Sequence, residues 1–405
     1  MSTLTSKLTP VLPAARMVNV RYAIRDLAVL ADEVASHGHK ILYCNIGDPC
    51  KYDFPVPEHI LEAAIKAMRD GYNGYGESLG IKPAVDAIRS EAERDGFTNI
   101  QGVFVGLGSG EAIDSCLTAL LNPGENFLAP SPEYPLYGAI TAKLSCVANA
   151  YDLDESNGWQ PDVADIERKI NAHTRALLII NPNNPTGAVY SRETLEKIAD
   201  VARRHNLLLI SDEIYNKLVF DETAKHISIA TLAPDVPCIT FNGLSKAYLV
   251  PGWRIGWGIA TGPAELIKPF LESIYKLLRA RLSAPHPYQF AVKAALEGPQ
   301  DHLKWVNAKL ASRAKVTADW ARKTPRVKLV EPKGAFYAFP SLDIPEDDLT
   351  FVSELLKQKH VLLVHGSGFG QKPGTHHARI VTLPQEGVLT NAYAKIAEFL
   401  QERYG

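Results

Sequence analysis

One lysine, Lys246, stands among small residues in the segment "FNGLSKAYLVPGWRIGW", which covers residues 241–257. Arg254 follows it by eight positions, after the turn-forming pair Pro251 and Gly252. A lysine on a solvated surface needs no such surroundings. A lysine amine that loses its proton can form a Schiff base with an aldehyde or ketone, and a desolvated or cation-rich site favours that loss. The segment therefore indicates a lysine that forms a covalent bond.

Polar side chains appear abruptly at the ends of three apolar runs. "RALLII" leads into "NPNNPTG" with Asn184, "LLLI" leads into "SDEIY" with Asp212 and Tyr215, and "CITF" leads into "NGLSK" with Lys246. Continuous apolar runs of this length are typical of strands that are buried on both faces of a parallel sheet. Because ligands gather at the carboxyl ends of such strands, we expect these four side chains to share one rim of the sheet.

Pyridoxal phosphate is the common biological aldehyde that binds a lysine of this kind, and the sequence offers the groups that it needs. Asp212 can keep the pyridine nitrogen protonated, and Tyr215 can hydrogen-bond to the phenolic oxygen. The glycine-rich segment "GLGSGEA", residues 106–112, can present the N–H groups of a helix N-terminus to a phosphate. Arg254 and Ser245 can add a charge and a hydroxyl. Each motif alone could be a solvated lysine, a helix start or a rigid turn, so the prediction rests on their joint occurrence.

The rest of the chain supplies elements that can position these residues. Helical spacing in "PEHILEAAIKAMRDG" and "SRETLEKIADVARRHN", alternating with buried strands after residue 100, predicts an α/β fold. We expect a large domain with a mostly parallel sheet flanked by helices, and a smaller α+β domain. The predicted division is 1–55 for an N-terminal arm with part of the small domain, 56–300 for the large cofactor-binding domain and 301–405 for the small C-terminal domain.

Composition narrows the classes of partner. The 405 residues include 43 lysines and arginines against 45 aspartates and glutamates, for a formal net charge of −2. This balance gives no general attraction for nucleic acid or an anionic membrane surface, and no apolar run is long enough to span a membrane. The five scattered cysteines form no CxxC pair, so we expect neither a metal site nor disulfides, and a reducing, cytoplasmic location. The first 25 residues contain no acidic side chain, so a transit peptide stays an alternative to a plain arm.

The motifs "NPNNPTG", "SDEIY" and "SKAYLVPGWRIG" together resemble those of the pyridoxal-phosphate-dependent aminotransferases of class I and II, which have the fold-type I architecture. The resemblance covers nearly all of the chain from about Val18 onward. Within the family, the chain looks most like microbial alanine aminotransferases. That closer likeness lies in "NIGDP", "INPNNPTGAVY", "FNGLSK", "VHGSGFG" and "RIVTLP".

The resemblance implies a role for each matched residue. It makes Lys246 the Schiff-base lysine and proton shuttle, Asp212 the partner of the ring nitrogen and Tyr215 the donor to the phenolic oxygen. The other implied cofactor contacts are Gly108, Ser109, Gly110, Tyr134, Asn184, Ser245, Arg254 and, from the neighbouring subunit of a homodimer, Tyr75. The implied substrate contacts are Gly47, Asn184 and Arg379, with Arg379 binding the α-carboxylate.

A second cation is needed if a dicarboxylate such as 2-oxoglutarate binds, because an unpaired carboxylate is costly to desolvate. The segment "NVRYAIR" carries Tyr22 and Arg25 one helical turn apart, and alanine aminotransferases carry a similar pair on a segment that covers the site. A basic, solvated arm is the alternative interpretation of these two residues.

The expected activity is amino transfer by a ping-pong mechanism between an amino acid, with alanine favoured, and 2-oxoglutarate. An aspartate or aromatic amino acid aminotransferase is the alternative within the family. A pyridoxal-phosphate-dependent lyase on the same fold and a non-catalytic binding protein are the alternatives outside it.

Overall fold

The computed structural model describes residues 10–25 and 27–405. It has the mixed α/β architecture that the sequence predicts. The α-helices are α1 Ala28–Ser36, α2 Glu58–Arg69, α3 Lys82–Arg94, α4 Gly108–Leu120, α5 Leu136–Lys143, α6 Val163–Lys169, α7 Arg192–Arg204, α8 Ile229–Leu232, α9 Ala264–Arg281, α10 His286–Glu297, α11 Asp301–Lys323, α12 Asp348–Lys359 and α13 Glu386–Tyr404. The strands are β1 Leu42–Tyr43, β2 Ile100–Leu107, β3 Asn126–Ser131, β4 Asn149–Asp154, β5 Gln160–Pro161, β6 Thr174–Ile180, β7 Leu208–Asp212, β8 Cys238–Gly243, β9 Ile255–Thr261, β10 Val327–Lys328, β11 Tyr337–Ala338, β12 Ser341–Leu342, β13 Val361–Leu362, β14 Val364–His365 and β15 Ala378–Val381. Short 3₁₀ helices lie at Ala15–Asn19, Ala23–Arg25, Pro49–Lys51, Glu155–Asn157, Pro251–Trp253 and Gly366–Phe369.

The large sheet has eight strands in the order β2-β9-β8-β7-β6-β3-β4-β5. The strands β8, β7, β6, β3 and β4 are parallel, which confirms the predicted mostly parallel sheet. Strand β9 is antiparallel to both β8 and β2. The sequence pattern did not predict β9, because the strand begins inside the lysine segment, which ends at residue 257. No crossover helix separates β9 from β8, so the chain must return antiparallel.

Both faces of this sheet are buried, as the continuous apolar runs predict. Along β6, Leu177 and Ile179 pack into one hydrophobic cluster, while Leu178 and Ile180 pack into another on the opposite face. Successive side chains of a strand point to opposite faces, so only an unbroken apolar run satisfies both layers of helices.

Helix α7 shows how local sequence sets the covering layer. Its N-cap, Ser191, accepts a hydrogen bond of 3.1 Å from the backbone N–H of Thr194, as expected for a capping serine. The apolar residues Leu195, Ile198 and Ala202 follow at helical spacing and are buried against the sheet.

The C-terminal region is a smaller α+β assembly. It contains the antiparallel sheet β11-β15-β14, the antiparallel pair β10-β12 and the helices α11 to α13. Strand β1, from the N-terminal segment, pairs in parallel with β13 of this region through Leu42 and Val361. The proposed boundaries near residues 55 and 300 stay a prediction.

Within the part of the chain that the structure describes, no helix combines the length and the apolar character that crossing a membrane requires.

Candidate active site

The predicted rim is formed by the carboxyl ends of β6, β7 and β8. Parallel register places the last residue of β6 beside Asp212, and Asp212 beside β8. The following loops bring Asn184 and Lys246 to the same rim, where a cavity of about 390 Å³ opens. Every site residue that the sequence analysis named lines this cavity, except Gly108 and Tyr75.

Lys246 lies in the loop after β8, partly buried within this cavity. Its Nζ donates a hydrogen bond of 2.8 Å to the backbone carbonyl of Gly47. Burial lowers the pKa of Lys246 to about 8; Asp48 opposes this shift, and the cations Arg379 and Arg254 add to it. A lysine with this pKa has an appreciable fraction of neutral, nucleophilic amine near neutral pH, which Schiff-base chemistry requires.

Asp212 is the last residue of β7 and is buried. Its carboxylate accepts hydrogen bonds from the hydroxyl of Tyr137 at 3.0 Å and from the backbone N–H of Ile214 at 3.3 Å. Burial raises the pKa of Asp212 to about 6, although both donors and Lys246 lower it. No cation among the described residues forms an ion pair with it. A buried carboxylate in this state favours a protonated ring nitrogen as its partner.

Tyr215 lies one turn beyond Asp212, and its hydroxyl is 2.8 Å from the hydroxyl of Tyr337. Its ring packs edge-on against Phe336 and Tyr337, with centroid distances of 5.3 and 5.6 Å. Burial raises the pKa of Tyr215 well above its ordinary value, so the phenol keeps its proton. It is therefore available as a hydrogen-bond donor.

The N-terminus of α4 approaches Arg254 closely. Gly108 has a φ of 75°, and its backbone N–H donates 2.9 Å to the carbonyl of Arg254. A Cβ on Gly108 would collide with the Arg254 guanidinium, and one on Gly256 would collide with the backbone of Ser109. Only glycine permits this approach, which sets a guanidinium beside helix N–H groups and so favours an anion.

Arg254 itself adopts the left-handed conformation, with a φ of 56° after the turn Pro251–Trp253. Its Nη1 and Nη2 donate to the carbonyls of Pro251 at 2.9 Å and Leu107 at 3.3 Å. Two of the five guanidinium N–H groups are thus used in fixing the side chain, and the rest suit phosphate oxygens. The other residues of this part of the cavity are Ser109, Gly110 and Ser245.

Arg379, on β15, is a buried cation with no acidic partner among the described residues. Its Nη1 donates 3.1 Å to Oδ1 of Asn184, and its Nη2 donates 2.6 Å to the carbonyl of Asn45. Its Cζ lies 4.6 Å from the ring centre of Tyr337 and 4.7 Å from that of Phe369. Within the described chain, the Nε of Arg379 has no hydrogen-bond partner. A buried, oriented guanidinium of this kind suits a carboxylate.

The N-terminal segment closes one side of the cavity. The hydroxyl of Tyr22 lies 2.9 Å from that of Tyr134, and the two rings meet edge-on. Arg25 ends the short 3₁₀ helix Ala23–Arg25, and its backbone N–H donates 3.0 Å to the carbonyl of Tyr22. Arg25 lines the cavity although its side chain is largely exposed. The structure thus brings the predicted pair together at the site.

Tyr75 is 83% exposed, in the loop between α2 and α3, and it does not line the cavity. Its predicted contact with the cofactor of a neighbouring subunit stays a prediction.

Sequence reasoning missed two tyrosines that contact the site residues. Tyr137 lies in "SPEYPLY", three positions after Tyr134, and this spacing at the start of a helix could have indicated it. Tyr337 lies in the apolar segment "GAFYAFP", and only the pairing of β11 with β15 brings it beside Arg379. Nothing in its sequence neighbourhood signals that contact.

The residues present fit pyridoxal phosphate on chemical grounds. Asp212 is a buried carboxylate that forms no ion pair among the described residues, and the close approach of Gly108 and Arg254 suits an anion. In the same cavity, Lys246 supplies an amine of lowered pKa. These are the groups that hold a ring nitrogen, a phosphate and an aldehyde carbon.

Comparisons with known proteins identify the family of the chain. Residues 45–396 match the sequence profile of the family described as Aminotransferase class I and II. An alanine aminotransferase of Mycobacterium tuberculosis is 42% identical over 96% of this chain and 92% of its own length. The glutamate-pyruvate aminotransferase AlaA of Escherichia coli is 39% identical over 97% of this chain and 98% of its own.

A solved alanine aminotransferase from Pyrococcus furiosus superposes with a TM-score of 0.93 at 39% identity, and covers 97% of this chain and 100% of its own. These matches confirm the predicted fold type and family. The chain belongs to the class I and II aminotransferases, and its cofactor is pyridoxal phosphate.

Proposed function

We propose that this aminotransferase moves an amino group between alanine and 2-oxoglutarate in two alternating half-reactions. The observation that carries the proposal is that Lys246, with its lowered pKa, lines one cavity with Arg379, a cation that has no acidic partner among the described residues. The names of the relatives from M. tuberculosis and E. coli support alanine with pyruvate as one substrate pair, and glutamate with 2-oxoglutarate as the other.

Except for Gly108, the residues of this chain that would hold the cofactor line one cavity. Arg254, Ser109 and Ser245 would bind the phosphate with the N-terminus of α4, and Gly108 and Gly110 would leave room for it. Tyr134 would stack on the ring, and Asp212 would pair with the ring nitrogen. Tyr215 and Asn184 would contact the phenolic oxygen. When bound, the cofactor supplies an aldehyde carbon for the amino group and a ring that delocalises the electron pair left on the substrate α-carbon.

The chain then performs proton transfer and orientation. Arg379 and Asn184 bind the α-carboxylate, with the backbone at Gly47 against the substrate, so that the α-hydrogen faces Lys246. The neutral amine of Lys246 removes the α-proton. It later returns that proton at the carbon that comes from the cofactor's aldehyde group. Its lowered pKa supports both steps, because a general base works best with a pKa near the working pH.

The second half-reaction needs a partner for the distal carboxylate of 2-oxoglutarate or glutamate. Arg25 is the candidate, because it lines the cavity and has no side-chain partner among the residues that the structure describes. Tyr22 holds the same segment against Tyr134. A small donor such as alanine makes no use of that cation, so one cavity serves both substrates.

We also propose that the enzyme is a homodimer with shared active sites. In a single chain Tyr75 stays exposed and away from the cavity. A large aromatic side chain left in water at a loop tip is suited to a contact with a second copy. The proposed contact is the phosphate end of the cofactor bound by the neighbouring subunit.

We propose a cytoplasmic location. The five cysteines are free, and Cys50 is exposed as a thiol. Such a set of thiols is suited to a reducing compartment.

A single-turnover experiment tests the substrate assignment. The purified, cofactor-loaded enzyme is mixed with one amino acid at a time, and the loss of the cofactor's visible absorption is followed. Alanine and glutamate should react faster than aspartate, tyrosine and phenylalanine. A faster reaction with aspartate or an aromatic amino acid would favour those aminotransferases instead. Release of ammonia from one amino acid without an oxo acid would favour a lyase.

A further inference from the structure

Tyr337 is a buried cavity residue to which the proposed mechanism gives no role. It is 3% exposed, and its hydroxyl lies 2.8 Å from that of Tyr215. The face of its ring lies 4.6 Å from the guanidinium carbon of Arg379. One side chain therefore contacts both the proposed carboxylate-binding cation and the proposed donor to the ring oxygen.

The backbone fixes Tyr337 to the strand that carries Arg379. In the antiparallel pair β11-β15, Tyr337 lies opposite Val381, two residues beyond Arg379. The backbone N–H of Thr382 donates 3.0 Å to the carbonyl of Phe336, which extends this pairing. Tyr215, in contrast, follows β7 of the large sheet. The contact between the two hydroxyls thus joins the large sheet to the small C-terminal sheet.

Room for the Tyr337 hydroxyl depends on Gly47. A Cβ at Gly47 would lie 2.5 Å from the hydroxyl oxygen of Tyr337 and 2.8 Å from Cε2 of Phe336. The missing side chain at Gly47 therefore lets the hydroxyl of Tyr337 reach Tyr215.

Proton counting sets the direction of the hydrogen bond. Each tyrosine hydroxyl has one proton to donate and two lone pairs to accept. If Tyr215 donates its proton to the ring oxygen, as the proposed function holds, Tyr337 must donate to Tyr215. A hydroxyl that accepts a hydrogen bond becomes a stronger donor, because successive hydrogen bonds polarise one another.

We propose that Tyr337 is a positioning residue that strengthens Tyr215 as a donor and links it to the carboxylate-binding Arg379. This inference rests on the roles proposed for Tyr215 and Arg379. The hydroxyl of Tyr337 acts on the cofactor's ring oxygen through Tyr215. The ring of Tyr337 orients Arg379.

The variant Tyr337→Phe tests the hydroxyl, with the pH midpoint of the bound cofactor's visible absorption as the readout. A weaker donor leaves more negative charge on the ring oxygen. The nitrogen that joins Lys246 to the cofactor should therefore keep its proton to higher pH. We expect the midpoint to rise by roughly half a pH unit. In a Tyr215→Phe background the same substitution should shift it little further, because the residue through which it acts is gone. Gly47→Ala, which displaces the hydroxyl, should shift the midpoint in the same direction.

Kinetics separate the ring of Tyr337 from its hydroxyl. Tyr337→Phe keeps the ring against Arg379, so kcat should fall by roughly 2- to 10-fold with little change in the KM for alanine. Tyr337→Leu removes the ring and should raise the KM for alanine and for 2-oxoglutarate together.

Tyr393→Phe is the matched control. It removes a buried tyrosine hydroxyl that lies 2.6 Å from Thr317 in the C-terminal core, away from the cavity. This variant should lower Tm without moving the midpoint. An unchanged midpoint in Tyr337→Phe, or an equal shift with and without Tyr215, would overturn the role of Tyr337 and leave the proposed function standing. A wild-type protein that acquires no visible absorption with pyridoxal phosphate would overturn both.

Discussion

The hydroxyl of Tyr137 donates a hydrogen bond of 3.0 Å to Oδ2 of Asp212 at the buried end of β7. Tyr137 is buried in the first turn of α5, the helix that follows β3. A neutral phenol orients the carboxylate without neutralising it. Asp212, the proposed partner of the ring nitrogen, is therefore held in one orientation by a donor that favours its charged form.

We expect Tyr137→Phe to weaken cofactor binding. Loss of this donor makes the Asp212 carboxylate harder to ionise, because the Tyr137 hydrogen bond lowers the pKa of Asp212 against the effect of burial. A lost hydrogen bond to a charged group corresponds to ~1.5–3 kcal/mol, or roughly a 10- to 100-fold rise in the Kd for pyridoxal phosphate. Titration of the cofactor-free protein measures this Kd. Tyr151→Phe, which loses a buried bond of 2.8 Å to the carbonyl of Leu178, should lower stability and leave the Kd unchanged.

The stability of the cofactor-free protein should depend on Asp212 in a specific pH window. The folded pKa is raised to about 6 from an ordinary value of 3.8, mainly by burial. Between these values the folded state binds more protons than the unfolded state, so this group's contribution to the free energy of unfolding falls as the pH rises. Asp212→Asn removes that loss. We expect the free energy of unfolding of the variant, relative to that of wild type, to increase by ~1–1.5 kcal/mol when the pH rises from 5 to 7.5.

Urea unfolding of both cofactor-free proteins at the two pH values measures this gain. The exposed Asp32→Asn is the control for the loss of a carboxylate outside the cavity, and the difference from wild type should change more between the two pH values for Asp212→Asn than for this control. A constant difference for Asp212→Asn would mean that its carboxylate is not desolvated in the folded protein.

Arg25→Ala should raise the KM for 2-oxoglutarate much more than the KM for alanine, since only the oxo acid carries a distal carboxylate. We expect the KM for 2-oxoglutarate to rise by about 5- to 30-fold, or ~1–2 kcal/mol. This effect is smaller than that of breaking a fully buried ion pair, because Arg25 is exposed. Arg21→Ala removes an exposed cation on the same segment that does not line the cavity, and it should change neither KM. Small, equal effects of Arg25→Ala on the KM values of both substrates would mean that Arg25 belongs to a solvated arm and does not bind the distal carboxylate.

Shared active sites predict complementation between inactive variants. Co-expression of Tyr75→Ala and Lys246→Ala chains with different tags should give hybrid dimers in which one site lacks both residues and the other is intact. Up to about a quarter of wild-type activity is expected if the chains mix at random. The pair Asp212→Asn and Lys246→Ala affects one chain's own site, so its hybrids should stay at the low activity of the separate variants. Recovery in both pairs, or in neither, would argue against a role of Tyr75 in the partner's site.

Much of the site could be predicted because several of its polar residues lie at or just after the ends of buried strands. Asp212 and Lys246 directly follow apolar runs, and the parallel register of β7 and β8 makes sequence position a guide to space. The antiparallel strand β9 did not follow from the pattern, because its first three residues belong to the lysine segment. Tyr337 could not be predicted from its apolar neighbours. Its role arises from the pairing of β11 with β15 and from its contact with Tyr215, which joins residues far apart in the sequence.

The central claim is that Lys246 is the residue that binds the cofactor covalently. Borohydride reduction of the cofactor-loaded enzyme, followed by digestion and mass spectrometry of the peptides, tests it directly. The account predicts a single stable cofactor adduct on the peptide that contains Lys246, and no adduct in Lys246→Ala. An adduct on a peptide without Lys246, or an undiminished adduct in Lys246→Ala, would contradict it.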